Sequence, residues 1–137
     1  MKETDAFAKW GRVMGGGFQV IPNQLLRLQK TLGLSSLQVV ILLNLCMHWW
    51  KKEDLPFITA YHIAQRTGMS RRTVERELRK LRAIGYIKKT KLQGSKDING
   101  EARTAYDLSG LVLALESVPL EIKSRTLQRR IDALRPH

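Results

Sequence analysis

The chain has 137 residues, enough for one domain with a proper hydrophobic core. Its 24 Lys and Arg stand against 12 Asp and Glu, and a net charge of +12 points to a polyanionic partner, nucleic acid ahead of membrane. A single cysteine, Cys46, excludes an internal disulfide and a cysteine-built zinc site, and it reads as an inert buried thiol in a reducing compartment.

Residues 1–17 read as a flexible N-terminal arm ending in Gly15-Gly16-Gly17, with Trp10 placed to dock on the body or on a partner. The charged N-terminus lacks the apolar core of a signal peptide. Phe18 to Pro22 alternates and predicts a short extended lead-in, after which Pro22 opens a helix to about Leu32, stopped at Gly33. Ser35 and Gln38 have the spacing of a capping box. The helix they start, Leu37 to Trp50, is apolar almost all round and should be the most buried one. Its most apolar stretch, Leu37 to Met47, has 11 residues and contains Asn44. A membrane span needs roughly 20 apolar residues, so this is a core helix, with Trp49 and Trp50 as core and rim at its end. Lys51 and Lys52 suit the negative end of its dipole.

Phe57-Ile58 predicts a short strand, and Thr59 caps the helix that follows. From Phe57 to Tyr86 the pattern is that of two helices joined at Gly68-Met69-Ser70. Gly68 tolerates the left-handed conformation that ends a helix, and Ser70 is a preferred N-cap for the next one. In that second helix Val74, Leu78 and Leu81 repeat at helical spacing and define a buried face. At about 100° per residue, Arg72, Arg76 and Arg79 lie on the opposite side. Between His62 and Lys91 the sequence holds ten basic residues against Glu75 and Glu77 alone, so most of the net charge is concentrated there.

After Gly85 the period changes. Tyr86–Leu92 and Arg103–Leu108 read as two strands of a basic hairpin, with Gly94-Ser95 and Asn99-Gly100 at a polar tip. Ser109 caps a helix from Gly110 to about Ser117, and Leu120 to Leu134 forms a last helix after Pro119. In that last helix Leu120, Leu127, Ile131 and Leu134 follow a loose 3-4 spacing, interrupted at Ser124 and only two heptads long, which fits either packing back on the domain or a homodimer contact. The fold class expected is mainly α with a small β-hairpin wing (α+β). Its predicted parts are the arm at 1–17, a DNA-binding domain at 18–117 and a terminal helix at 118–137.

The element order resembles the winged helix-turn-helix superfamily. Ala64, Gly68 and Val74 have the turn spacing of helix-turn-helix proteins. The string Gly68-Met69-Ser70-Arg71-Arg72-Thr73-Val74, with Leu78, Leu81, Gly85, Tyr86 and Ile87 after it, is similar to many bacterial regulators. Upstream, Phe18, Ile21-Pro22-Asn23, Leu25-Leu26 and Leu34-Ser35 look like the N-terminal winged-helix domain of phage and plasmid replication-organiser proteins. Tyr106-Asp107-Leu108-Ser109 resembles plasmid replication initiators. The resemblance covers residues 18–115. Replication organisers usually continue into a helicase-recruiting domain, whereas here only a helix is expected after the wing.

In this architecture the recognition helix enters the major groove N-terminus first. Arg72, Thr73 and Arg76 are therefore the candidates for base contact, since arginine pairs with guanine O6 and N7 through two hydrogen bonds. Arg71, Arg79 and Lys80 are candidates for phosphate, as are Lys89, Lys91 and Arg103 on the wing and Thr59 at the preceding helix. Tyr61 and His62 begin that preceding helix, expected to cross a phosphate strand. Glu75 is expected to pair with Arg79 four residues on rather than to read cytosine. His48, His62 and His137 lack metal-ligand spacing, no phosphate-binding Gly-Lys-Ser/Thr motif occurs, and no carboxylates pair as a nuclease needs. No catalysis, metal or cofactor is expected.

The leading expectation is a cytoplasmic, nucleoid-associated protein that binds double-stranded DNA sequence-specifically, as a small transcriptional regulator of a bacterium or mobile element. The second is a replication or partition accessory factor on iterated origin repeats. A third, of another class, is a protein-interaction module whose basic wing binds an acidic partner.

Overall fold

Local capping chemistry sets most helix boundaries in the computed structural model, which describes residues 3–119 and 125–134. Helix α1 (Glu3–Trp10) and a 3-10 helix (Gly11–Gly16) occupy the stretch read from sequence as an arm. The Phe7 and Phe18 rings meet edge to face at 5.8 Å, folding this stretch back on itself. Trp10 is not docked on the body; it is 59% exposed, with the Lys9 ammonium over its ring.

Helix α2 (Asn23–Arg27) begins at Pro22, as expected, but is shorter than the sequence predicts. Beyond it the chain continues to Gly33 in turns, held by Leu32 N–H to Leu28 O and Gly33 N–H to Lys30 O. Helix α3 (Ser36–Cys46) starts with the predicted capping box: Ser35 Oγ accepts from Gln38 N–H, and Gln38 Oε1 accepts from Ser35 N–H. It ends before the tryptophans rather than at Trp50. Trp49 packs against the core with its indole N–H on Lys52 O, and Trp50 is 75% exposed. Cys46 is half-buried, and burial pushes its thiol up to about 11, which keeps it protonated and inert.

The helix-turn-helix follows. Helix α4 (Ala60–Thr67) is capped by Thr59, whose hydroxyl accepts from His62 N–H, and ends at Gly68 with φ +77°. Helix α5 (Arg71–Ile84) is capped by Ser70, which accepts from Thr73 N–H, and ends at Gly85. Val74, Leu78 and Leu81 are buried, and they pack with Ile41, Leu42 and Leu45 of α3 and Ile63 of α4 in one cluster.

Strands β1 (Lys88–Lys96) and β2 (Ala102–Asp107) pair antiparallel, Lys88 opposite Asp107 and Lys91 opposite Thr104, with an irregularity between Lys91 and Lys96. Gly94-Ser95 therefore lies within β1 and not at the tip. The turn is Asp97 to Gly100, where Asp97 Oδ1 accepts from the amides of Asn99 and Glu101. Phe57-Ile58 forms no strand among the described residues. A single backbone hydrogen bond, Tyr106 N–H to Pro56 O, ties that segment beside β2.

Helix α6 (Ser109–Glu116) is not capped by the Ser109 side chain, as the sequence suggests. Ser109 is its first residue, and its N–H donates instead to Asp107 Oδ1 at 2.8 Å. Hydrogen bonding from the Ser109 backbone, then from its side chain, with Lys88 across the strand pair, holds the Asp107 carboxyl below the usual carboxylate range. Helix α7 (Arg125–Leu134) covers the later part of the predicted terminal helix; the start of that prediction, residues 120–124, lies outside the described residues. The whole is an α+β fold dominated by helices, with a small hairpin after the second helix of the helix-turn-helix. No described helix is long and apolar enough to cross a membrane.

Candidate nucleic-acid interface

Two elements that the sequence places side by side, α5 and the hairpin, enclose a cleft of about 590 Å³. Arg71, Glu75, Arg79 and Arg82 form one wall, on a single flank of α5 at about 100° per residue. Lys89, Lys91, Arg103 and Thr104 form the other. The near end is made by Thr59, His62 and Arg66 of the α4 region with His48. Seven cations thus line the cleft against two carboxylates, Glu75 and Asp97. Close cations raise the local potential for a polyanion well beyond what the same charges would do scattered.

Of the predicted phosphate contacts, the cleft brings together Thr59, Arg71, Arg79, Lys89, Lys91 and Arg103. Lys80 lies outside it, with its ammonium 3.5 Å from the Glu77 carboxylate. The predicted base readers also lie outside. Arg72 and Arg76 are exposed but do not line the cleft, and Thr73 is half-buried, its Oγ1 accepting from Ser70 Oγ. Arg76 leans toward Glu77, with 3.6 Å between Nε and Oε1. Glu75 does not pair with Arg79. It accepts from Arg71 Nε at 3.0 Å, in the preceding turn. Arg79 is left turned to the cleft opposite the hairpin cations.

On the hairpin, Lys89 and Lys91 both reach the cleft and Lys88 does not, as the alternation of a strand requires. Lys91 Nζ donates to Thr104 Oγ1 across the strands. Arg103 is fixed in two ways: its Nε donates to Lys96 O, and its guanidinium sits 5.0 Å from the Phe57 ring centroid. The floor includes Tyr106, whose phenol is pushed up by burial, partly offset by Arg82, so it remains a protonated donor.

Sequence reasoning missed His48, Arg66 and Arg82. Arg66 Nη1 lies 3.2 Å from His48 Nε2 and 3.5 Å from Asn44 Oδ1, a cluster formed between the end of α3 and α4. His48 precedes Arg66 by 18 residues, so no local pattern announces the pair. Burial lowers the His48 pKa, and the nearby Arg66 and His62 add to that. Arg82 was legible: it is one turn beyond Arg79 on the flank of Arg71 and Glu75. Among the described residues no three His, Cys, Asp or Glu side chains gather as a metal site.

This helix-turn-helix with a basic hairpin beside its second helix is accompanied by a sequence match over residues 21–125 to the DnaD N-terminal domain. The chain belongs to the DnaD N-terminal domain family. The match takes in α2 through α6, including both walls of the cleft. It agrees with the resemblance to replication organisers rather than with the one to bacterial regulators in general. No curated protein sequence matches the chain.

Proposed function

We propose that this protein binds double-stranded DNA sequence-specifically in DNA replication, with α5 in the major groove and the hairpin along the backbone. The observation that carries the reading is the cleft, lined by seven cations, six of them on facing walls, beside an exposed arginine helix. In the proposed complex a phosphate strand lies along the cleft against Arg71, Arg79, Lys89 and Lys91, while Arg72 and Arg76 reach base edges. Membership of the DnaD N-terminal domain family supports replication over transcriptional control. No enzymatic step is part of the proposal.

Titration of labelled duplex against salt tests it. With about six phosphate contacts, affinity falls roughly a thousandfold or more between about 50 and 200 mM salt. A flat titration, or no binding at the lower salt, overturns the proposal. Footprinting on candidate DNA should then show several direct repeats at an origin. A single promoter palindrome would instead favour a transcriptional regulator.

Dimerisation through α7 is a separate part of the proposal. Leu134 is 84% exposed at its end and Ile131 is half-buried. Light scattering that finds a monomer at micromolar concentration removes it.

A further inference from the structure

We propose that the cleft between α5 and the hairpin takes an unpaired DNA strand, with one base stacked on Phe57. This rests on duplex binding by α5 and extends it to the junction between a duplex and a single strand.

The reason is that the cleft is not only cationic. Phe57, Ile58, Leu78 and Tyr106 line it together with the arginines and lysines, and Phe57 is 45% exposed. A paired duplex offers the protein phosphates, sugars and base edges, none of which needs an aromatic face. Unpaired bases do need one. A basic groove interleaved with an accessible aromatic ring is how single strands are held, phosphates on the cations and base faces on the ring.

The geometry supports this occupant further. Arg103 is pinned by the Lys96 carbonyl, which sets its guanidinium over Phe57 at the cleft mouth. A guanidinium held over an aromatic ring makes a mixed surface on which a base can pack. Tyr106, only 7% exposed, closes the floor beneath. The cleft volume of about 590 Å³ falls in the range of sites that enclose small ligands of nucleotide size. Glu75 is tied to Arg71, so the carboxylate on the α5 wall is neutralised locally and does not repel the strand.

The experiment compares fluorescence anisotropy for one duplex, blunt or carrying a short thymidine tail, on wild type, Phe57→Leu and Phe57→Trp. Leucine keeps the position apolar and removes the ring, whereas tryptophan keeps a ring and guards against a folding artefact. Tailed DNA should bind wild type about fivefold or more tighter than blunt DNA. That ratio should fall to about one on Phe57→Leu and persist on Phe57→Trp. If blunt duplex binds and the tail adds nothing, or if Phe57→Leu keeps the ratio, the inference is overturned while duplex binding stands. A free deoxynucleotide that competes as well as the tail would overturn the assignment to a strand. Failure of blunt duplex alone to bind would overturn the duplex reading. Oligothymidine bound with the same dependence on Phe57 would still uphold stacking in the cleft.

Discussion

The side-chain amide of Gln38 donates a 3.1 Å hydrogen bond to the Glu77 carboxylate, joining α3 to α5 inside the protein. Gln38 and Glu77 are respectively 6% and 5% exposed, a buried polar pair beside an apolar cluster. The same Gln38 closes the capping box of α3, so one residue sets where that helix begins and how α5 lies against it. The other Glu77 oxygen faces Arg76 and Lys80, at 3.6 and 3.5 Å. Glu77→Ala therefore leaves a buried amide without its acceptor. It should cost about 1–3 kcal/mol, read as a lower urea midpoint at unchanged slope. A midpoint equal to wild type would show that the pair contributes nothing.

Gly110 has a different significance. A Cβ at this position would collide with the Gly85 carbonyl oxygen, part of the backbone that ends α5. The close approach is cemented by Leu111 N–H donating to Tyr86 O at 3.0 Å. Backbone cannot yield as a flexible side chain would, so Gly110→Ala should destabilise by about 1–3 kcal/mol or more. The thermal midpoint measures it, and a midpoint within error of wild type would contradict the contact.

His48 gives a pH dependence with a defined sign. Burial, then Arg66, then His62 lower its folded pKa below the ordinary value of 6.5. The unfolded chain therefore takes up the proton first, and the folded state loses stability as pH falls through 6.5 toward the folded pKa. Melting temperature should drop as pH falls below the ordinary imidazole value of 6.5, and His48→Gln should flatten that drop. Because the imidazole is largely solvated, the effect is modest. An unchanged slope in His48→Gln would place the pH dependence elsewhere.

For the proposed DNA complex, the arginines of α5 that line the cleft and those that do not predict different defects. Arg79→Ala, in the cleft, should weaken binding to all duplexes alike and reduce the salt slope by about 1. Arg72→Ala, one turn or more nearer the start of α5 and outside the cleft, should relax base preference in a selection from random duplex DNA, with about 1–3 kcal/mol lost at one position. Equal behaviour of the two variants would contradict the separation into phosphate and base contacts.

Much of this could be read without coordinates. Ser35 with Gln38, Thr59, Ser70 and Gly68 each act within a few residues, and each sits where the structure begins or ends a helix. Local rules also have a limit, shown by Glu75. On an isolated helix the i+4 pairing with Arg79 is the favoured orientation, yet in the folded protein Glu75 pairs with Arg71 and Arg79 faces the hairpin. The same holds for Phe57-Ile58, a β-prone dipeptide that forms no strand, its neighbour Pro56 making the backbone bond to β2.

The amino-acid order by itself determined the helix-turn-helix, the buried stripe of Val74, Leu78 and Leu81, the basic hairpin and the concentration of charge around them. Caps, turns and periodicity are interactions between near neighbours along the chain, which is why they are visible in it. Tertiary structure alone decided that Arg71, Arg79 and Arg82 face Lys89 and Lys91 across a cleft, that Glu77 is buried on Gln38, and that Gly110 touches Gly85. Those contacts join elements whose relative position is set by the packing of the whole core, as with the 39 residues that separate Gln38 from Glu77.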